Sequence, residues 1–209
     1  MKQLNKISKE KAQRILFIAV LVLVFGVFLV SLSLLKPAET PPIEEPPINP
    51  PIEQPEDEYE IVTAPYTNTE VEIFRKFWSV DKNKEDQEKS IIVFEDSYYM
   101  SKGVSYVNNN QEFDIVASLS GTVEKITESP IYGKVVLLDH GDGIKTEYMS
   151  LGTVNVLEGD HVVQGEVIGT SGLNQYDIAA ENHLHYRVLV DGKYCDPEII
   201  IGKAVNEIK

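Results

Sequence analysis

The stretch Asn182-His183-Leu184-His185-Tyr186-Arg187-Val188-Leu189-Val190 decides the fold. It alternates in character and ends in strand-forming residues, so it predicts a β-strand. Strand side chains face alternate sides, so His183 and His185 share one face and Leu184 takes the other. Two imidazoles about 6–7 Å apart along a strand suit a shared metal ion or reacting group. Two half-exposed histidines on a sheet explain the same pattern, so the rest of the chain must supply further ligands.

Around this strand the chain predicts an all-β domain. Short segments with strand character, often separated by turn residues, recur at close spacing, and no long helix is predicted after residue 80. Gly141-Asp142-Gly143 and Asp191-Gly192 predict turns. Residues 59–78 fit either a short helix or a twisted strand, and residues 81–89 predict a charged loop. The predicted strands are 91–94, 113–117, 122–127, 134–139, 144–151, 162–168 and 184–190.

The N-terminal part predicts a membrane anchor. Residues 15–35 carry no charge and are mostly Ile, Leu, Val and Phe, which matches the roughly 20 residues that cross a bilayer as a helix. The preceding residues 1–14 hold five Lys or Arg and one Glu, so we expect them to stay in the cytoplasm and the remainder to be exported. A cleavable signal peptide is the alternative, but it needs a shorter apolar region and a small-residue cleavage site.

Residues 36–58 predict a spacer and residues 59–209 the folded domain. The spacer holds eight of the 11 prolines and favours polyproline II, which extends about 3.1 Å per residue, so that about 20 residues of it give a reach of roughly 60 Å. From residue 36 onward 14 Lys and Arg oppose 32 Asp and Glu, a net charge of -18. This balance argues against nucleic-acid binding and suits a basic protein partner, or serves solubility alone.

Four segments of the domain resemble the zinc endopeptidases of the lysostaphin/LytM type, peptidase family M23, and they occur in that family's order. The segments are Asp114-Ile115-Val116-Ala117 with Ser120-Gly121-Thr122-Val123; Tyr132-Gly133-Lys134-Val135-Val136 with His140-Gly141-Asp142-Gly143 and Thr146-Glu147-Tyr148; residues 156–169 with Gly159, Gly165 and Gly169; and His183-Leu184-His185 with Asp191-Gly192 and Asp196-Pro197. The resemblance covers roughly residues 91 to 200 and implies an antiparallel β-sheet domain.

The same resemblance implies that the catalytic site is lost. Its zinc-ligand positions fall on Ser101, Ser105 and His185, and its proton-handling positions on Ser150 and His183. Neutral hydroxyls are poor zinc ligands and one imidazole does not hold the ion. We therefore expect a vestigial pocket with no metal, no cofactor and no enzymatic activity.

Two further histidines and the single cysteine match no ligand position. His140 and His161 are predicted to be surface residues. Cys195 is predicted to be a buried, unreactive thiol, although pairing with another chain is the alternative for an exported cysteine.

An inactive domain on an anchor and spacer resembles members of the family that act in spore formation. The resemblance implies a forespore-membrane scaffold whose domain lies between two membranes and binds a protein anchored in the facing one, in engulfment and in a channel with ring-like assembly. Two alternatives remain: an inactive activator of a wall amidase, and an active wall endopeptidase. The absence of a coiled-coil heptad pattern favours the scaffold over the activator.

Overall fold

The computed structural model describes residues 13–14, 16–23, 25–26 and 59–208. The described N-terminal residues are helical and belong to a separate unit from the β domain. Within the described residues, no helix has both the length and the apolar character that crossing a membrane requires. The predicted anchor at 15–35 lies partly outside the described residues, as does most of 1–14, and the spacer at 36–58 lies wholly outside them.

The β domain is built almost entirely from antiparallel strands, as the sequence predicts. The strands are β1 Glu72–Arg75, β2 Ile91–Phe94, β3 Ser97–Met100, β4 Val104–Val107, β5 Asp114–Val116, β6 Gly121–Ser129, β7 Gly133–Asp139, β8 Ile144–Val154, β9 His161–Val162, β10 Val167–Ser171, β11 His183–Val190 and β12 Lys193–Cys195. The main sheet has ten strands, with the path β1-β4-β11-β8-β7-β6-β9; β10 pairs with β5 and β8, and β12 with β11. Strands β2 and β3 form a separate two-stranded sheet.

Glycine-containing turns connect the central strands where the sequence predicts them. Asp142 and Gly143 adopt positive φ values of 48° and 77°, and the backbone amide of His140 bonds the carbonyl of Ile144 across the turn. The Asp191-Gly192 turn likewise joins β11 to β12, with φ values of 49° and 75°. Such left-handed pairs match the twist of the strands they join, which fixes the pairing register.

The core lies on the side of β11 opposite the histidines. Leu184, Tyr186 and Val188 are all 0% exposed. The ring of Tyr186 lies 5.2 Å from that of Tyr148 on β8, and the hydroxyl groups of both tyrosines hydrogen bond to Ser118 Oγ, at 2.6 and 3.0 Å. Because these alternate positions are buried in the core, the other face of β11, which carries the two histidines, points away from it.

Two local predictions are wrong. The charged segment 81–89 ends in a helix, α1 Lys84–Lys89, because Asn83 caps its first turn by accepting from the amide of Asp86 at 2.9 Å. The predicted strand 162–168 is divided into β9 and β10 by a turn at Gly165, whose φ is +83°. A second short helix, α2 Pro197–Ile200, follows β12, and residues 59–78 yield only the strand β1.

Candidate functional site

The two histidines of β11 lie together on one face and are closed off from solvent. His183 is 0% exposed and His185 is 2% exposed, so the alternative of half-exposed surface histidines is wrong. In register, His185 lies opposite Ser105 on β4 and Met149 on β8. The pairing of β4 with β11 therefore brings together two residues that are far apart in the chain.

Only one of the two ring nitrogens of His185 has a hydrogen-bond partner among the described residues. Its Nδ1 lies 2.9 Å from Ser105 Oγ, while its Nε2 is buried without a hydrogen-bond partner among the described residues. Burial lowers the pKa of His185 well below its ordinary value, and the positive charges of Arg187 and Arg75 lower it further. The ring is therefore neutral at physiological pH.

Ser101 contacts its own loop and makes no polar contact with His185. Its Oγ donates to the carbonyl of Gly103 at 2.8 Å, and its backbone amide donates to the carbonyl of Ser90, the residue just before β2, at 2.9 Å. A Cβ at Gly103 would lie 2.3 Å from the carbonyl oxygen of Tyr186, so only glycine lets this loop approach β11 so closely. Ser101 and Ser105 are both buried.

Ser150 and His183 both make polar contacts with the backbone of Gly172. Ser150 sits in a β-bulge of β8 with a φ of +68°, and its Oγ lies 3.4 Å from the carbonyl of Gly172. His183 pairs with Gly172 through its backbone amide at 2.9 Å. Its ring places Nδ1 2.8 Å from the carbonyl of Glu181 and Nε2 3.3 Å from the side-chain Nδ2 of Asn174. Burial lowers the pKa of His183.

A buried ion pair lies close to these histidines, and the sequence did not reveal it. Arg75 at the end of β1 binds Asp177 through two contacts, at 2.5 and 2.7 Å. The side chains are only 9% and 3% exposed. The charge of Arg75 lowers the pKa of both His183 and His185, whereas Asp177 raises that of His183. The two residues are 102 positions apart, so no spacing pattern indicates the pair.

The donor set at these positions does not suit Zn²⁺. It offers the imidazole of His185 and two neutral hydroxyls, one of which is bonded to that imidazole and the other to a backbone carbonyl. Two guanidinium groups act on the same imidazole, and their charge opposes that of a dication. Among the described residues, no three His, Cys, Asp or Glu side chains form a cluster able to hold a metal.

A tyrosine-rich groove runs beside Arg187 on the same side of the domain. It has a volume of about 580 Å³. The rings of Tyr99, Tyr132 and Phe94 surround Tyr176, with centroids 5.1 to 5.7 Å from it. The groove is lined by Tyr98, Tyr99, Met100, Lys102, Tyr132, Tyr176, Arg187 and Tyr194. Arg187 follows His185 by two residues and therefore lies on the same face of β11.

The remaining histidines and the cysteine lie outside the site. His140 is half-buried rather than freely exposed: its ring bonds the carbonyl of Ser120 at 2.8 Å and Thr146 Oγ1 at 2.7 Å, and burial lowers its pKa. His161 is exposed, as predicted. Cys195 is half-buried against the core with a free thiol.

The chain is similar in sequence to proteins of one peptidase family. Residues 99–197 match the sequence profile of peptidase family M23. Stage II sporulation protein Q of Bacillus subtilis (strain 168) is 38% identical over 152 residues, which cover 72% of this chain and 54% of that protein. The chain thus spans about half the length of this relative. The peptidoglycan DD-endopeptidase ShyA of Vibrio cholerae is 33% identical over 79 residues, 38% of this chain and 18% of the enzyme.

A solved structure carries the same domain. The chain matches one in the structure of the SpoIIQ–SpoIIIAH pore forming complex with a TM-score of 0.70 and 38% identity. The match covers 72% of this chain and 96% of that one.

Proposed function

Because the chain belongs to peptidase family M23, we propose that its domain is a peptidase fold used as a protein-binding scaffold in spore formation. The observation that carries the proposal is the 38% identity with a chain of the SpoIIQ–SpoIIIAH complex, 96% of which is covered. The partner would be a membrane protein of the stage III sporulation protein AH type. An acidic domain with a net charge of -18 from residue 36 onward suits a basic surface on such a partner.

The proposed arrangement is a bridge between two membranes. Residues 15–35 would anchor the chain in the forespore membrane, with residues 1–14 in the cytoplasm. Residues 36–58 would hold the domain, residues 59–209, in the intermembrane space at a reach of roughly 60 Å. There the complex would hold the forespore and mother-cell membranes together during engulfment and form part of an intercellular channel, with several copies in a ring.

We also propose that the domain has no peptidase activity. Metal-assisted hydrolysis needs three protein ligands, an open water position and groups that move protons. Ser101, Ser105 and His185 would be former ligand positions, and Ser150 and His183 a vestigial pocket. The hydrogen bonds of both ligand-position serines and the nearby arginines support this interpretation, because the buried hydroxyls are already bonded to protein groups.

The test combines binding with localisation. Full-length protein in detergent should bind the exported domain of the AH-type partner with measurable affinity by calorimetry. In sporulating cells, deletion of residues 37–55 should abolish its localisation at the engulfing septum while leaving that affinity unchanged, because the lost contour length cannot be recovered. Absence of binding would refute the scaffold, and normal septal localisation of the deletion variant would refute the bridge.

A second assay separates the alternatives. The same protein should release no peptide from purified peptidoglycan, alone or when added to a wall amidase. Cleavage by the protein alone would establish the endopeptidase, and stimulation of the amidase would establish the activator.

A further inference from the structure

The predicted spacer carries a sequence repeat that a plain spacer does not need. The tripeptide Pro-Pro-Ile occurs three times, at residues 41–43, 46–48 and 50–52. Acidic residues follow the first and third repeats, as Glu44-Glu45 and Glu53. Prolines by themselves make a chain extended, and acidic residues by themselves keep it soluble. The three isoleucines add apolar side chains at matching positions, which indicates that this stretch contacts another surface.

The tyrosine-rich groove has walls that suit such a repeat. Five tyrosines line it: Tyr98, Tyr99, Tyr132, Tyr176 and Tyr194. Tyr98 is 78% exposed and Tyr132 is 37% exposed, so a ligand can reach these rings. Aromatic-lined grooves are the sites at which proteins bind polyproline II segments, because such a segment is already extended before it binds and loses little entropy.

Two positive charges lie together in this groove. Lys102 and Arg187 are placed over the ring of Tyr194, at 5.2 and 5.4 Å from its centroid. Lys102 has no ion-pair partner within the part of the chain that the structure describes. Arg187 pairs with Glu147 through Nη1, but its Nε is buried and has no hydrogen-bond partner among those residues. The groove therefore favours a ligand that is apolar and also carries negative charge.

The Pro-Pro-Ile stretch combines both properties on one side of a polyproline II helix. This helix has three residues per turn and rises about 3.1 Å per residue, so residues three apart face the same way at a separation of about 9 Å. Glu44 then shares a side with Pro41, and Glu53 shares a side with Pro50. One side of the segment therefore offers a proline ring to the tyrosines and a carboxylate to the two cations.

The proposed function decides which copy of the chain supplies the segment. The bridge requires each spacer to stay extended, since its reach depends on that. The proposed ring sets several copies side by side in one membrane. The occupant of the groove is therefore the spacer of a neighbouring copy.

We propose that the tyrosine-rich groove binds residues 41–53 of a second copy of this chain. Proline and isoleucine side chains of the segment would contact the tyrosine rings, and its glutamates would pair with Lys102 and Arg187. This is a contact between copies of the chain, not with the AH-type partner, and it would set the spacing between neighbouring copies. It rests on the proposed function, which places several copies in one membrane.

The test measures self-association of the full-length protein in detergent by analytical ultracentrifugation. The groove variant carries Tyr98→Ser and Lys102→Glu, both at exposed positions. The spacer variant keeps every proline and carries Ile43→Ser, Ile48→Ser and Ile52→Ser. Each variant should associate at least about tenfold more weakly than wild type, because it loses apolar contact or an ion pair. The matched control is Leu157→Ser, at an apolar residue that is 72% exposed and does not line the groove, which should change the association less than about twofold.

A mixture of the two variants tests whether the contact joins two copies. The groove variant keeps an intact spacer and the spacer variant keeps an intact groove, so an equal mixture should form dimers that neither variant forms alone. A synthetic peptide of residues 40–54 should dissociate the wild-type assembly, and the same peptide with its three isoleucines replaced by serine should not.

Three results would overturn the proposal: a wild type that stays monomeric, variants that associate as strongly as wild type, and a mixture that does not associate. Affinity for the exported domain of the AH-type partner, measured on the same wild-type preparation, reports on the scaffold separately. Intact affinity together with any of these three results would overturn the groove assignment while the scaffold stands. Absence of that affinity would refute the scaffold, whatever the association of the copies.

Discussion

The ion pair between Arg75 and Asp177 is a buried contact whose loss should destabilise the domain. Its side chains are 9% and 3% exposed, so removing one partner leaves the other charge buried without compensation. Such single losses cost about 3–5 kcal/mol of unfolding free energy. For a domain of this size each kcal/mol lowers Tm by roughly 2–4 °C. We therefore expect Asp177→Asn to lower Tm by about 6–20 °C.

The double variant distinguishes charge burial from simple loss of packing. Replacing both members, as Arg75→Met with Asp177→Leu, removes both buried charges, and such replacements are often neutral. The carbonyl of Ile91 loses its donor in this variant, which adds about 1 kcal/mol. The double variant should therefore be more stable than either single variant, a strongly non-additive result.

The assays are thermal unfolding, which gives Tm, and urea unfolding, which gives the free energy of unfolding, of the β domain, which forms a separate unit with its own core. The single Trp78 provides the fluorescence signal. The matched control is the exposed pair of Glu85 and Lys89, with side chains 77% and 55% exposed, where Glu85→Ala should cost no more than about 0.5 kcal/mol. A cost below about 1 kcal/mol for Asp177→Asn, or additive effects in the double variant, would refute the reasoning.

Two further predictions concern the histidines and the metal. Burial lowers the pKa of His140, His183 and His185. Unfolding therefore takes up protons below about pH 6.5, and stability, full above that pH, should fall as the pH drops towards 5, by up to about 1.4 kcal/mol per pH unit per histidine. His185→Gln should flatten this slope and His161→Gln, at an exposed position, should not; equal slopes in urea unfolding for wild type and His185→Gln would contradict this. The purified full-length protein should hold well under one zinc per chain after dialysis, and Ser101→His with Ser105→Asp should hold more; one zinc per wild-type chain by elemental analysis would refute the first expectation.

The sequence by itself determined the fold class and most strand positions, and it predicted which residues form the candidate site. Alternation in residues 184–190 and the glycine turns are local signals, because strand facing and turn geometry depend on neighbouring residues. Local signals gave wrong predictions where a short segment can adopt two conformations. Residues 84–89 form a helix instead of a loop, and a turn at Gly165 interrupts a predicted strand.

Only the tertiary structure decided how deeply the site residues are buried and which charged side chains lie near them. Strand register sets Ser105 against His185, and the path of the chain sets Arg75 against Asp177 across 102 positions. The ring of His140 is half-buried because it contacts Ser120, 20 positions earlier, as well as Thr146 across the neighbouring hairpin. Contacts between distant positions depend on the summed packing of the whole core, so no local pattern of residues reveals them.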